Sequence, residues 1–341
     1  MQQMEWLEMN QQSKNTDRRK ISSYVLNNLA LIQVILSGII ALIFSQLLLA
    51  KTESIVNGNQ KITIRYASEL NSFEQQKTKK WLQNVTDSLL MIYQKWPKDK
   101  FEINVRVTAR GRGPVPWGQV ERDNTDKVTL YINPDYGFDA IEDDWTVYHE
   151  LSHLLLPYRG YGDLWISEGL ASYYQNILQA RSGRLNEKQF WDNIISGFER
   201  GKDQSRWSEV SLSTISDNMR RYKEFMRVHW SGVLFWLQAD VKLRTVSQNR
   251  QSLDTLLQKL KICCENTEMS AREIMSKLDK LSGYKIFLTS FNKFRKSYKM
   301  PDYMPLIKHL GVQKNNKLIE KNEQAESADI AKKIFTGNGV H

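Results

Sequence analysis

His149-Glu150-Leu151-Ser152-His153 constrains this chain more than any other stretch of it. On an α-helix, residues four apart are separated by about 40° around the axis, so both imidazoles can reach one point from the same face. A third group must come from elsewhere, and Trp165-Ile166-Ser167-Glu168-Gly169 offers Glu168, fifteen residues beyond His153. Two histidines and one glutamate are a standard donor set for catalytic zinc, which keeps one position for an exchangeable water. Glu150, next to the first histidine, is then placed to act as general base. The chain has only five histidines, and two of them form this pair. The flanks agree. Residues 144–157 read as one buried helix with an acidic start and a proline stop, and residues 164–180 as a second helix, ended by Gly183.

The N-terminal region sets the expected location. Residues 29–50 carry no charge, and at 1.5 Å per residue they reach about 33 Å, enough to cross a hydrocarbon core about 30 Å thick. Lys14, Arg18, Arg19 and Lys20 precede them, which places residues 1–28 in the cytoplasm and the rest outside. A cleaved signal peptide is the competing reading, but its apolar region is normally about 7–15 residues, with small residues before the cut; Ala50 follows three leucines. We expect an uncleaved single-pass anchor that touches membrane lipid through 29–50, with the functional domain periplasmic or extracellular.

A chain of 341 residues with 41% apolar and 25% charged residues can build a full core. Its net charge of +10 is spread along the sequence rather than gathered in one tract. The runs at 77–80 and 293–299 read as solvated helix faces or contacts with anionic lipid, so no nucleic-acid partner is expected. Cys263 and Cys264, the only cysteines, are adjacent. Neighbouring cysteines rarely pair, so no disulfide framework and no second metal site are expected.

Along the chain, a polar tether (51–60) leads to an alternating strand at 61–66. Ser72 and Gln75 read as a capping box, and Trp81, Leu82, Val85, Leu89, Ile92 and Trp96 then recur at helical spacing. Residues 101–107 form a strand, and 118–122 with 128–132 a hairpin around the polar turn 123–127. The two metal helices follow, and then a helical half. The resulting divisions are an α+β lobe at 51–184, a helical lobe at 185–312, and a polar tail at 313–341 whose composition predicts disorder.

His149-Glu-Leu-Ser-His153 followed by residues 164–174, Leu-Trp-Ile-Ser-Glu-Gly-Leu-Ala-Ser-Tyr-Tyr, resembles the gluzincin zinc metallopeptidases. The nearest likenesses are the glycyl aminopeptidases, often PDZ-associated, and the aminopeptidase N group. Residues 230–244 are similar to the helix that follows in those enzymes, and 301–311 to the end of the glycyl aminopeptidase catalytic domain; the resemblance spans roughly 100–312. It implies an α+β, thermolysin-like zincin: a small N-terminal sheet lobe, an active-site helix at the lobe boundary and a helical C-terminal lobe, here preceded by one transmembrane helix. It also implies Zn²⁺, a peptide or protein substrate, and hydrolysis with Glu150 accepting a proton and passing it to the leaving amine. Substrate would add to the exposed edge strand of the sheet, for which 128–132 is the candidate.

Several positions depart from the family or leave two readings. The spacing from His153 to Glu168 is shorter than the family's, so the loop 157–163, with Pro157, Gly160 and Gly162, must turn tightly. Where the family has an oxyanion-stabilising tyrosine, three residues before a glycine, this chain has His229 before Gly232. His229 is either a donor to the oxyanion or a buried histidine with no catalytic part; Tyr222, two turns earlier, is another hydroxyl. Ser172, at i+4 from Glu168, either bonds the ligand carboxylate or lets two helices pack closely. The family's segment that holds a substrate amino terminus is missing; Glu121 either takes that role or is an exposed strand residue. The functional expectation is a membrane-anchored zinc peptidase, possible aminopeptidase activity included. The alternative is a zinc-bound but catalytically silent domain that binds a peptide or an envelope partner.

Overall fold

Ile62, Ile64 and Tyr66 alternate with Lys61, Thr63 and Arg65, and the computed structural model buries the first set while leaving the second at the surface or half-buried. That period of two is the pleat of a strand with one face on a core. The structure describes residues 51–158, 160–265, 267–315 and 318–337. The anchor expected at 29–50 lies outside them. Among the described residues, no helix is long and apolar enough to cross a membrane.

The strands are β1 (Thr52–Asn57), β2 (Gln60–Tyr66), β3 (Lys100–Val107), β4 (Trp117–Glu121) and β5 (Lys127–Ile132). They form one sheet in the order β1-β2-β3-β5-β4. β2, β3 and β5 run parallel, while β1 and β4 pair antiparallel at the two edges. The crossover from β2 to β3 is the helix α1 (Ser72–Tyr93), which buries Trp81, Leu82, Val85, Leu89 and Ile92 in the core.

Beyond the sheet come α2 (Phe138–Asp143), α3 (Thr146–Ser152) and α4 (Trp165–Arg181). They are followed by α5 (Glu187–Asp203), α6 (Leu212–Asp217), α7 (Met219–Tyr222) and α8 (Phe225–Val246), then α9 (Leu253–Cys264), α10 (Ala271–Ser282), α11 (Phe287–Phe294) and α12 (Met304–His309). A hairpin of β6 (Val312–Asn315) and β7 (Leu318–Lys321) and a last helix, α13 (Ala328–Thr336), close the described chain. The mixed α+β architecture, a small N-terminal sheet followed by a helical half, is the one expected. One apolar core contains residues from Ile55 on β1 to Ile334 on α13.

Four local expectations are corrected. The tether at 51–60 is β1 and the tight turn that pairs it with β2, where Gly58 takes a positive φ of 56°. The capping box of α1 lies one residue earlier: Asn71 accepts from the Phe73 and Glu74 amides, and Glu74 accepts from the Asn71 amide at 2.8 Å. The described residues of the tail, 313–315 and 318–337, are folded, and Ile319, Ile330, Ala331 and Ile334 are buried. Arg181 on α4 donates to the Ile334 carbonyl at 3.1 Å, which ties α13 to the metal-bearing helix. Cys263 and Cys264 are joined to each other at the C-terminal end of α9.

The sheet order also moves the edge. Residues 128–132 belong to β5, flanked by β3 and β4, so they have no free backbone to offer. The exposed edge on this side is β4.

Candidate metal centre

α3 begins at Thr146, whose amide donates to the Asp144 carboxylate at 2.7 Å. All seven residues of α3 are buried. The helix is shorter than the sequence suggested, since the chain tightens to a 3-10 turn at His153–Leu155 ahead of Pro157. His153 itself keeps helical φ and ψ of −59° and −28°, so the i to i+4 relation to His149 survives. α4 runs beside α3 and brings Glu168 to the pair.

Nε2 of His149 lies 3.3 Å from Oε2 of Glu168, and Nε2 of His153 lies 3.7 Å from the same oxygen. The three groups can each offer one ligand atom with all of them within 4.8 Å of one another. A tetrahedral ion with bonds of about 2.0–2.1 Å sets its ligands about 3.3 Å apart, so these residues fit zinc. The imidazoles are also oriented for it. Nδ1 of His149 is bonded to Oε1 of Gln175 at 3.3 Å, and Nδ1 of His153 to Oγ of Ser167 at 3.0 Å, which leaves both Nε2 atoms facing the carboxylate. Gln175 and Ser167 were not singled out in the sequence. Gln175 is seven residues after Glu168, two turns along the same face of α4, and that spacing was the available signal.

Electrostatics concentrate here. Burial pushes the Glu150 carboxyl up to about 7, opposed by the nearby His149 and reinforced by the charge of Glu168. Burial pulls His153 down to about 3. Glu168 sits well below the usual carboxylate range: burial opposes its charge, but His153, His229 and His149 outweigh that cost. A carboxylate among imidazoles is the charge pattern that a divalent cation completes.

Glu150 lies against the edge strand. A Cβ on Gly118 would fall 2.4 Å from its Cγ and 2.9 Å from its Oε1, so only glycine lets β4 approach this closely. Because strand faces alternate, Gly118 facing Glu150 turns Glu121 the other way. Glu121 is exposed, accepts Nε2 of Gln119 at 2.7 Å, and does not line the cleft. The reading of Glu121 as an anchor for a substrate amine is therefore corrected. Arg122, on the same face as Gly118, donates to the His153 carbonyl at 2.5 Å.

His229 does reach the centre. Its Nε2 lies 3.6 Å from Oε2 of Glu168, and its ring stacks on His149 at 5.7 Å between centroids. Its Nδ1 is bonded to Oγ of Ser172 at 3.2 Å. Ser172 thus serves His229 and not Glu168. Tyr222 packs edge-on against Trp207 at 5.4 Å and is no part of the cleft. Around these groups opens a cleft of about 860 Å³, walled by β4 on one side and the start of α8 on the other.

Residues 159–255 match the M61 glycyl aminopeptidase family. The glycyl aminopeptidase match thus takes in Glu168, Gln175 and His229 and starts just after the two histidine ligands. No curated protein matches the chain. Among solved structures, an aminopeptidase N family protein from Idiomarina loihiensis is similar with a TM-score of 0.54 and 18% identity, over 81% of this chain and 52% of that one. An M1 zinc metallopeptidase from Deinococcus radiodurans (TM-score 0.48, 13% identity, 74% of this chain and 52% of that one) and yeast LTA4 hydrolase (0.49, 13%, 76% and 42%) are also similar. The chain spans about half the length of the solved structures it matches. The likeness to glycyl aminopeptidases and the aminopeptidase N fold expected from the sequence is thereby found. At the centre, His149, His153 and Glu168 form a cluster that could hold a metal ion.

Proposed function

We propose that the chain is a zinc-dependent peptidase in which Glu150 is the general base. One observation carries the reading: a buried carboxylate, held over Gly118 at the sheet edge, beside a cluster of two imidazoles and a carboxylate spaced for zinc. His149, His153 and Glu168 hold the ion. When bound, zinc supplies Lewis acidity towards a peptide carbonyl and brings the pKa of water towards neutrality.

The chain's own groups do the rest. β4, as an edge, offers backbone N–H and C=O groups to which an extended peptide can add as a further strand. That aligns the scissile bond beside Glu150, whose carboxylate takes a proton from the attacking water and returns it to the leaving amine. His229 donates an N–H to the oxyanion as it forms, with Ser172 fixing the ring. Aminopeptidase specificity is not part of the proposal, since Glu121 is turned away.

The silent-domain alternative rests on His229 standing where the family has tyrosine. A pure binder has no use for a base in the position of Glu150, which is why we favour hydrolysis. In this reading the domain acts outside the cytoplasm, tethered by residues 29–50; the uncharged run with basic residues before it supports that, and protease protection of intact cells tests it. The activity itself is tested by Glu150→Gln, which should retain stoichiometric zinc and lose hydrolysis of a mixed peptide pool. A variant as active as the wild type removes the mechanism.

A further inference from the structure

We propose that the cleft selects peptides bearing a carboxylate near the bond presented to Glu150, either an acidic side chain or the chain's C-terminus, and that Arg112 and Arg220 recognise it. The inference takes its substrate class, peptides, from the reading above. It rests on the charges that line the cleft.

Three carboxylates line it, and two of them, Glu168 and Asp144, have polar partners. Glu168 faces the imidazoles, Glu150 lies over Gly118, and Asp144 accepts the Thr146 amide. Of the three lining arginines, Arg122 is occupied too, bonded to the His153 carbonyl and 3.9 Å from Asp126. Arg112 and Arg220 remain. Both are exposed, both line the cleft, and neither has an ion-pair partner among the described residues.

They come from different walls. Arg112 is on the segment that leads into β4, and Arg220 is on α7, just ahead of the α8 helix that carries His229. Around them stand aromatic rings with little else to do. Trp145 is 50% exposed with its ring at right angles to that of His149, and Phe225 is 39% exposed. A peptide lying among these rings displaces water, and a guanidinium then contacts a carboxylate in a less screened setting, through paired hydrogen bonds that an ammonium could not offer. Two unopposed arginines next to a bound dication give the cleft a positive field. The acidic side chain at the far end of β4, Glu121, is turned outward and does not line the cleft.

The test uses the full, zinc-loaded chain and matched peptides that differ only in Asp against Asn, or Glu against Gln, each with a free or an amidated C-terminus. kcat and KM are measured for each, and binding of the same peptides to Glu150→Gln is followed by tryptophan fluorescence. Acidic peptides should be favoured on the order of tenfold through KM, the advantage shrinking as salt is raised. Asp over Asn in amidated peptides identifies the side chain as the source, and free over amidated ends identifies the terminus. Arg112→Gln with Arg220→Gln should bring the ratio towards one, and Arg220→Glu should turn the preference towards lysine-bearing peptides. Equal KM and equal binding for acidic and amide peptides overturn the inference, as does a preference that survives loss of both arginines. A wild type that cleaves nothing ends the peptidase reading; the binding arm then decides this inference alone, with preferential, arginine-dependent binding supporting it and equal or absent binding overturning it.

Discussion

Gly169 on α4 and Gly232 on α8 touch backbone to backbone: a Cβ on Gly169 would lie 2.3 Å from the Cα of Gly232. Each is one residue or one turn from a group of the centre, Gly169 beside Glu168 and Gly232 three residues after His229. The close crossing is what sets His229 against Glu168. It is locked in register by Trp236, whose indole N–H donates to the Ile166 carbonyl at 2.9 Å. Gly232→Ala should push the helices apart, costing about 1–3 kcal/mol as overpacking does. Denaturant unfolding measures the loss, and a zinc titration should show weaker binding. Unchanged stability and affinity would mean that the crossing relaxes freely.

Gly118 makes a sharper probe of the base. In Gly118→Ala the new methyl occupies the place of the Glu150 side chain, so the carboxylate must move while the three ligands stay. kcat should fall by roughly ten- to a hundredfold, since misplacement by about 1 Å costs on that order. Zinc content, read by atomic absorption, should stay at one per chain.

The histidine supports separate from the histidines themselves. Gln175→Leu removes the acceptor at Nδ1 of His149 and should weaken zinc binding about 10–100-fold, as loss of such orienting partners does. Ser172→Ala touches His229 instead. It should leave zinc affinity within a few-fold and lower kcat. Competition with a chromophoric chelator reads the first effect and steady-state rates the second; equal zinc loss in both variants contradicts the division.

Zinc should be worth stability as well. Stripping it leaves the half-buried Glu168 among three imidazoles with no cation between them. A ligand present at a hundred times its Kd stabilises the folded state by about 2.7 kcal/mol. Chelation should lower the unfolding midpoint by a matching amount and zinc should restore it, while magnesium should not. A midpoint indifferent to chelator would show that the site holds no metal.

The meeting of His149 and His153 was legible in the sequence because helical spacing is local: three or four residues decide which side chains share a face, while Glu168 came from a second motif on the next helix. Strand β4 was not. Its length could be read, but its place at the edge depends on β3 pairing with β5 over it, a long-range choice that no window of sequence contains. The choice between the two readings of Glu121 was open for the same cause. With Gly118 turned towards Glu150, Glu121 had to turn away, and only the packing reveals which residue of an alternating pair looks inward. The tail misled by its average composition: Ile330, Ala331 and Ile334 are few, but they lie on one side of α13, and that side is enough to bury it.

The most direct test incubates the zinc-loaded chain and its Glu150→Gln variant with a pool of peptides, half with acetylated N-termini, and reads the products by mass spectrometry. The account predicts cleavage by the wild type of blocked as well as free peptides, because Glu121 does not line the cleft, and none by the variant. Cleavage by both proteins, or by neither with zinc confirmed at one per chain, would contradict it.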